Sequence, residues 1–170
     1  NMLSNRFNPF VSIAKAFMPA FTNNYNGQVE LLDDLNDHWC AANHKKERNQ
    51  LIERVQELSK SRKLRVSFVS GDVHAAGCGV FQSYDGMDPS RDYRYSLAVI
   101  TSAIVNAPPP PAVISIVNRL ASKHHKSMNY AHTRETMLPL FEVDLDEKAS
   151  KNKYIMGARN WCAVDYDEST

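Results

Sequence analysis

The sequence predicts a layered α/β or α+β fold, on three observations. An amphipathic helical pattern over 43–61 is followed, after a short link, by Leu64–Ser70, a run rich in β-branched and aromatic residues. A second apolar run, Arg94–Val105, has the same character. The chain has 170 residues, 43% hydrophobic and 23% charged, which suffices for one ordinary core and excludes a disordered chain or a collagen.

The elements follow in chain order. Asn1–Gln28 is rich in Asn and aromatic residues, holds Pro9 and Pro19, and reads as loop and short helix. Val29–Trp39 carries an acidic cluster of Glu30, Asp33, Asp34 and Asp37. Asn43 is placed to cap the helix that ends near Ser61. Leu51, Ile52, Val55 and Leu58 fall on one face of that helix, and charged residues such as Lys45, Glu53 and Arg54 occupy the rest. Leu64–Ser70 is a predicted strand stopped by Gly71, and Gly77 and Gly79 predict a loosened chain after it. Asp85-Gly86 marks a turn, Met87–Asp92 a loop and Arg94–Val105 a second buried strand. The run Pro108–Pro111 is loop, and Pro111 suits the first position of a helix ending near Ser122. Lys123–Leu138 reads as polar and mobile. Phe141–Leu145 reads as a strand, Tyr154–Met156 as a weaker one, and the acidic tail from Asp165 as frayed.

Charge and cysteine content narrow the function classes. Lys plus Arg is 20 and Asp plus Glu is 19, a net charge of +1, so no whole-molecule field favours nucleic acid or an anionic membrane. No apolar stretch has the length of a membrane span. The three cysteines, Cys40, Cys78 and Cys162, have no metal-knuckle spacing and no even pairing. A reducing, intracellular compartment is the expectation.

The residues richest in chemistry are Ser70-Gly71-Asp72-Val73-His74, at the end of the first predicted strand. Residues two apart on a strand share a side, so the Asp72 carboxylate and the His74 imidazole can converge on one space. Oxygen and nitrogen donors there suit a metal ion or an acid/base pair. The structural alternative is that Asp72 caps a turn and His74 bonds a backbone carbonyl. Two ligands fall short of a catalytic metal site, which needs at least about three. Asp37 and His38 are candidates for a site edge, as is Asn106, which ends a strand before the proline turn and can equally satisfy turn backbone groups. Cys78 lacks the glycine spacing of a nucleophile elbow and reads as small-residue packing. His124, His125 and His132 lie near Lys123 and Lys126, where they can touch phosphate or simply face solvent. Arg94 is a candidate phosphate clamp or a surface ion pair, and Trp161 reads as a core or interface residue.

Ser70–Phe81 resembles the Ser-Gly-Asp-Val-His-Leu-Ala-x-x-Gly-x-Phe segment of PhoD-like phosphatases, in the calcineurin-like metallophosphoesterase superfamily. Leu31–Trp39, Asn43–Leu58, Ser102–Pro110 and Arg159-Asn160-Trp161-Cys162 resemble further segments in the same order. The resemblance implies a phosphatase or phosphodiesterase that hydrolyses phosphate esters through a metal-activated hydroxide. Asp72 and His74 are then catalytic and metal ligands, with Asp72 alternatively steadying a ligand. The implied cofactors are divalent or trivalent ions, iron and calcium among them. The implied fold is a sandwich of two mixed sheets flanked by helices, of which this chain resembles the C-terminal part. That frames an irregular segment over 1–28, the PhoD-like part over 29–162 and a tail over 163–170. The superfamily's early motifs, Gly-Asp-x-x-Asp and Gly-Asn-His-Asp/Glu, do not occur in the sequence. The expectation is therefore an incomplete catalytic unit whose partners are a phosphate-ester substrate and the missing half or another protein. The alternative is a truncated, non-catalytic relative that binds protein.

Overall fold

The computed structural model describes residues 24–25, 28–29, 39–124, 128 and 132–165. The predicted site residues Asp37 and His38 lie outside these, as do His125 and the acidic cluster. The chain divides after Gln50 into two compact units. In the first, Asn24–Tyr25 (β1) and Gln28–Val29 (β2) pair antiparallel, where the sequence predicts only loop and short helix. Helix α1 is Lys45–Arg62. Its first intrahelical bond runs from the Arg48 N–H to the His44 carbonyl at 2.9 Å, so His44 rather than Asn43 holds the capping position.

The second unit is built on a mixed sheet of five strands: β3 (Phe68–Gly71), β4 (Ala76–Ser83), β5 (Ser96–Thr101), β6 (Thr133–Met137) and β7 (Ile155–Met156). Helix α2, Pro111–Ala121, joins it. β3 runs parallel to β5, and β4 runs antiparallel to β5, β6 and β7. β6 and β7 share one flank of β4, pairing with Gly79–Ser83 and with Ala76–Gly77 respectively. This is the mixed α+β class that the sequence predicts.

Two apolar clusters fix the helices. Ile52 of α1 packs with Phe81 and Met128, flanked by Phe68 and Ala98. The Phe68 ring meets Phe81 edge-on at 6.1 Å between centroids. Ile114 and Ala121 of α2 pack with Ile155, flanked by Val117, Met137 and Tyr154. The buried face of α1 differs from the predicted one. Ile52 is 1% exposed, but Leu51 and Leu58 are 46% and 47% exposed, and Gln56 and Ser59 take their place.

The largest correction concerns β4. The sequence reads Gly77 and Gly79 as loosening the chain, yet they lie in the central strand, which is buried from Ala76 to Phe81. Close packing explains the glycine. A Cβ on Gly77 would come 2.7 Å from Met137 Cε and 3.2 Å from Ile155 Cδ1, at the flank of β4 that β6 and β7 share. Three further readings change. The first predicted strand shortens to β3, and Arg65 before it is tied to the loop after β4. Its guanidinium donates to the carbonyls of Asp92, Tyr95, Pro89 and Ser90 at 2.8–3.3 Å. The polar stretch Lys123–Leu138 contains β6, whose Arg134, Glu135 and Thr136 hide its strand character. Phe141–Leu145 is no strand. A single bridge pairs Val143 with Ala149, and Asp144 Oδ1 closes the turn by accepting from the N–H groups of Asp146 and Lys148, both at 2.9 Å. The predicted helix from Pro111 and the strand near Tyr154–Met156 are present.

Candidate functional site

Strand directions bring the chemistry together. β3 and β5 are parallel, and β7 opposes β4 as β5 does, so β3, β5 and β7 all point the same way. Their following loops leave from one end of the sheet. These loops are Asp72–Ala75, Ser102–Pro110 and Gly157–Trp161. Ligands bind at this end of strands in many α/β proteins, because the loops there are shaped independently of the sheet.

The Asp72 N–H extends the β3–β5 ladder by one bond, to the Thr101 carbonyl at 2.7 Å. The Asp72 carboxylate then turns the chain. Its Oδ1 accepts from the backbone N–H groups of His74 and Ala75, both at 2.8 Å. Its Oδ2 has no hydrogen-bond partner among the described residues. His74 Nδ1 lies 3.2 Å from the Ala107 carbonyl oxygen. A carbonyl only accepts, so this contact is a hydrogen bond when Nδ1 carries the proton, which leaves Nε2 as a lone-pair donor.

The other two loops lock this one in place. Asn106 Nδ2 donates to the Val73 carbonyl at 3.1 Å, and its Oδ1 accepts from the Ala107 N–H at 2.9 Å. Both ends of the amide are therefore spent on backbone, and Asn106 positions the loop that carries the Ala107 carbonyl. Arg159 Nε donates to the Asn106 carbonyl at 3.2 Å. Asn160 Oδ1 accepts from the Ser102 N–H at 3.1 Å, and the Ser102 hydroxyl donates to the Ala158 carbonyl. Three segments far apart in sequence become one hydrogen-bonded cluster.

Arg159 is the residue that sequence reasoning left without a role. Its terminal nitrogens have no hydrogen-bond partner among the described residues, and its side chain is exposed. A guanidinium held at Nε with both terminal nitrogens open is suited to a phosphate. Its hydrogen bond to the predicted turn residue Asn106 is the signal, and it exists only in three dimensions.

The donor set does not complete a metal centre. Asp72 Oδ2 and His74 Nε2 supply two donors, and the described residues hold no group of three or more His, Cys, Asp or Glu side chains placed to ligate an ion. Other candidates resolve differently. Cys78 is buried, and burial, then the neighbouring Cys162, push its thiol up from the ordinary value, the reverse of an activated nucleophile. Arg94 makes no ion pair among the described residues; it donates to Ser83 Oγ at 3.2 Å and lies 4.4 Å from the Tyr93 ring centroid. Trp161 is 76% exposed, so it is no core residue of the described structure. No helix among the described residues is long and apolar enough to cross a membrane.

Residues 10–170 match the family described as PhoD related phosphatase. The chain belongs to the PhoD related phosphatase family. The chain is also 36% identical over 174 residues to an uncharacterized protein of Saccharomyces cerevisiae, YGR266W, with 91% of this chain and 24% of that protein covered. It thus spans about a quarter of the length of that relative. No solved structure matches it. The PhoD match takes in all three loops of the cluster.

Proposed function

We propose that the chain carries one side of a metal-dependent phosphoesterase centre of PhoD type, formed at the sheet end where β3, β5 and β7 finish. The observation that carries this reading is the pairing of used and unused groups. Asp72 Oδ1, His74 Nδ1 and Arg159 Nε are spent on holding the loops, while Asp72 Oδ2, His74 Nε2 and the Arg159 terminal nitrogens are left without partners among the described residues. Asp72 and His74 are the proposed metal-side residues and Arg159 the phosphate-side residue. Asn106 positions the loop. A bound ion would supply the hydroxide and neutralise phosphate oxygens. The remaining ligands come from outside the described residues.

A second reading, a non-catalytic relative that binds protein, is favoured by the two-donor count among the described residues. Elemental mass spectrometry on the purified chain, beside His74→Ala, separates the two. Bound metal that disappears in His74→Ala, with hydrolysis of bis-p-nitrophenyl phosphate weakened in Arg159→Gln, supports the phosphoesterase reading. Metal content identical in both proteins contradicts it and favours the second.

A further inference from the structure

We propose that the cleft between the end of α2 and strand β6 binds a phosphate-class oxyanion, at a site separate from the Asp72–His74 cluster. The cleft has a volume of about 210 Å³. Its lining includes Lys123, His124 and Arg134 and, among the described residues, contains no carboxylate. None of Asp72, His74, Asn106 or Arg159 lines it, so the proposal stands apart from the phosphoesterase reading.

Arg134 is the anchor. It is half-buried and has no ion-pair partner among the described residues. In the amide orientation that satisfies both side chains, Gln82 Oε1 accepts from Arg134 Nε at 3.1 Å and from Nη2 at 3.2 Å. Gln82 sits directly across from Arg134 in the β4–β6 register. A neutral amide oxygen orients the guanidinium without cancelling its charge, and Nη1 is left for a ligand. Thr136, two residues on, shares the same side of β6 and adds a hydroxyl to the lining.

The opposite wall is equally fixed. Asn118 Oδ1 on α2 accepts from the Tyr154 N–H at 2.8 Å, which ties the helix to the segment entering β7. The carbonyls at the end of α2 would repel an anion if they were bare. Three of the last four are occupied: Asn118 and Leu120 accept from the N–H groups of Ser122 and Lys123 at 3.0 and 3.2 Å, and Arg119 accepts from Ser122 Oγ at 2.9 Å. These bonds also place Lys123 at the cleft rim. Three basic side chains with no carboxylate among the described lining residues, one of them oriented by a neutral partner, match a phosphate group. A soluble phosphate ester and a lipid headgroup present the same chemistry.

The test titrates the chain at low salt with inorganic phosphate, and separately with phosphatidylcholine vesicles containing phosphatidic acid. Backbone amide shifts report the first and co-sedimentation the second. The expected result is shifts centred on Lys123, Arg134 and Thr136, or retention on the acidic vesicles. Response to phosphate alone assigns a soluble ligand, and response to vesicles alone assigns a headgroup. Arg134→Gln and Lys123→Gln each weaken binding about ten-fold, the scale of one charge-assisted hydrogen bond. Lys151→Gln, an exposed charge outside the cleft, leaves it unchanged. Lys123 is exposed, so its variant keeps the test valid if Arg134→Gln fails to fold. Binding of neither probe, or equal loss in Lys151→Gln and the cleft variants, overturns the proposal.

Discussion

The two ends of the sheet use the same residue types in opposite ways. At the end where β4 turns back into β5, Asp92 is 1% exposed and both its oxygens are spent: Oδ2 on the Ser83 N–H, Oδ1 on the Ser83 hydroxyl and the Arg94 N–H. Arg65 there spends its terminal nitrogens on four backbone carbonyls. At the other end, Asp72 spends one oxygen and keeps one, and Arg159 spends Nε and keeps its terminal nitrogens. An aspartate or arginine whose every group is satisfied by its own chain is holding structure. One that is fixed at one atom and open at the next is in a position to meet a ligand. On the proposed reading, the contrast separates a ligand-facing β3, β5 and β7 end from a structural β4–β5 end.

The largest expected effect is at the saturated end. Asp92→Ala strands two N–H groups and a hydroxyl in a buried position and is expected to cost about 3 kcal/mol in urea unfolding. A loss below about 1 kcal/mol would erase the contrast. Next comes the middle of the sheet. Gly77→Val pushes a branched side chain into Met137 and Ile155, with an expected cost of about 2 kcal/mol by the same measurement. Asp72→Ala, by comparison, removes one turn-closing acceptor and is expected to cost about 1 kcal/mol. Asp72→Asn keeps an acceptor oxygen and near-native stability while losing the carboxylate, so any metal-dependent property falls without a change in unfolding midpoint.

Smaller effects are pH-dependent. Folding raises the Cys78 thiol, so the stability this contributes is complete below the unfolded value and is lost as pH climbs through the folded one. Alkylation at neutral pH is expected to be slow at Cys78 and fast at the exposed Cys40 and Cys162. The smallest effect is at Asp88, an exposed carboxylate lowered first by the Ser90 hydroxyl and then by the Ser90 N–H. Its contribution is present above the unfolded value, about 3.9, and is lost as pH falls through the folded one. Ser90→Ala is expected to move the Asp88 titration, followed by NMR, back upward.

Much of this was legible in the sequence, unevenly. Helices α1 and α2 announce themselves through apolar spacing and through Pro111, because those signals are local. β4 does not, because Gly77 is demanded by Met137 and Ile155, residues far along the chain. β6 is masked by the polar residues Arg134, Glu135 and Thr136, which a strand paired on only one side among the described residues tolerates. Asp72 and His74 stood out as a pair because their spacing is local. Arg159 did not, because its meaning depends on the Asn106 carbonyl, 53 residues away.

The most direct test of the open-group account is the tautomer of His74, read from long-range ¹H–¹⁵N correlations in the native chain. The account predicts a neutral ring protonated at Nδ1, held by the Ala107 carbonyl, with an unprotonated Nε2 whose signal shifts or broadens when Mn²⁺ is added. A ring protonated at Nε2, or an Nε2 signal indifferent to Mn²⁺, would contradict it.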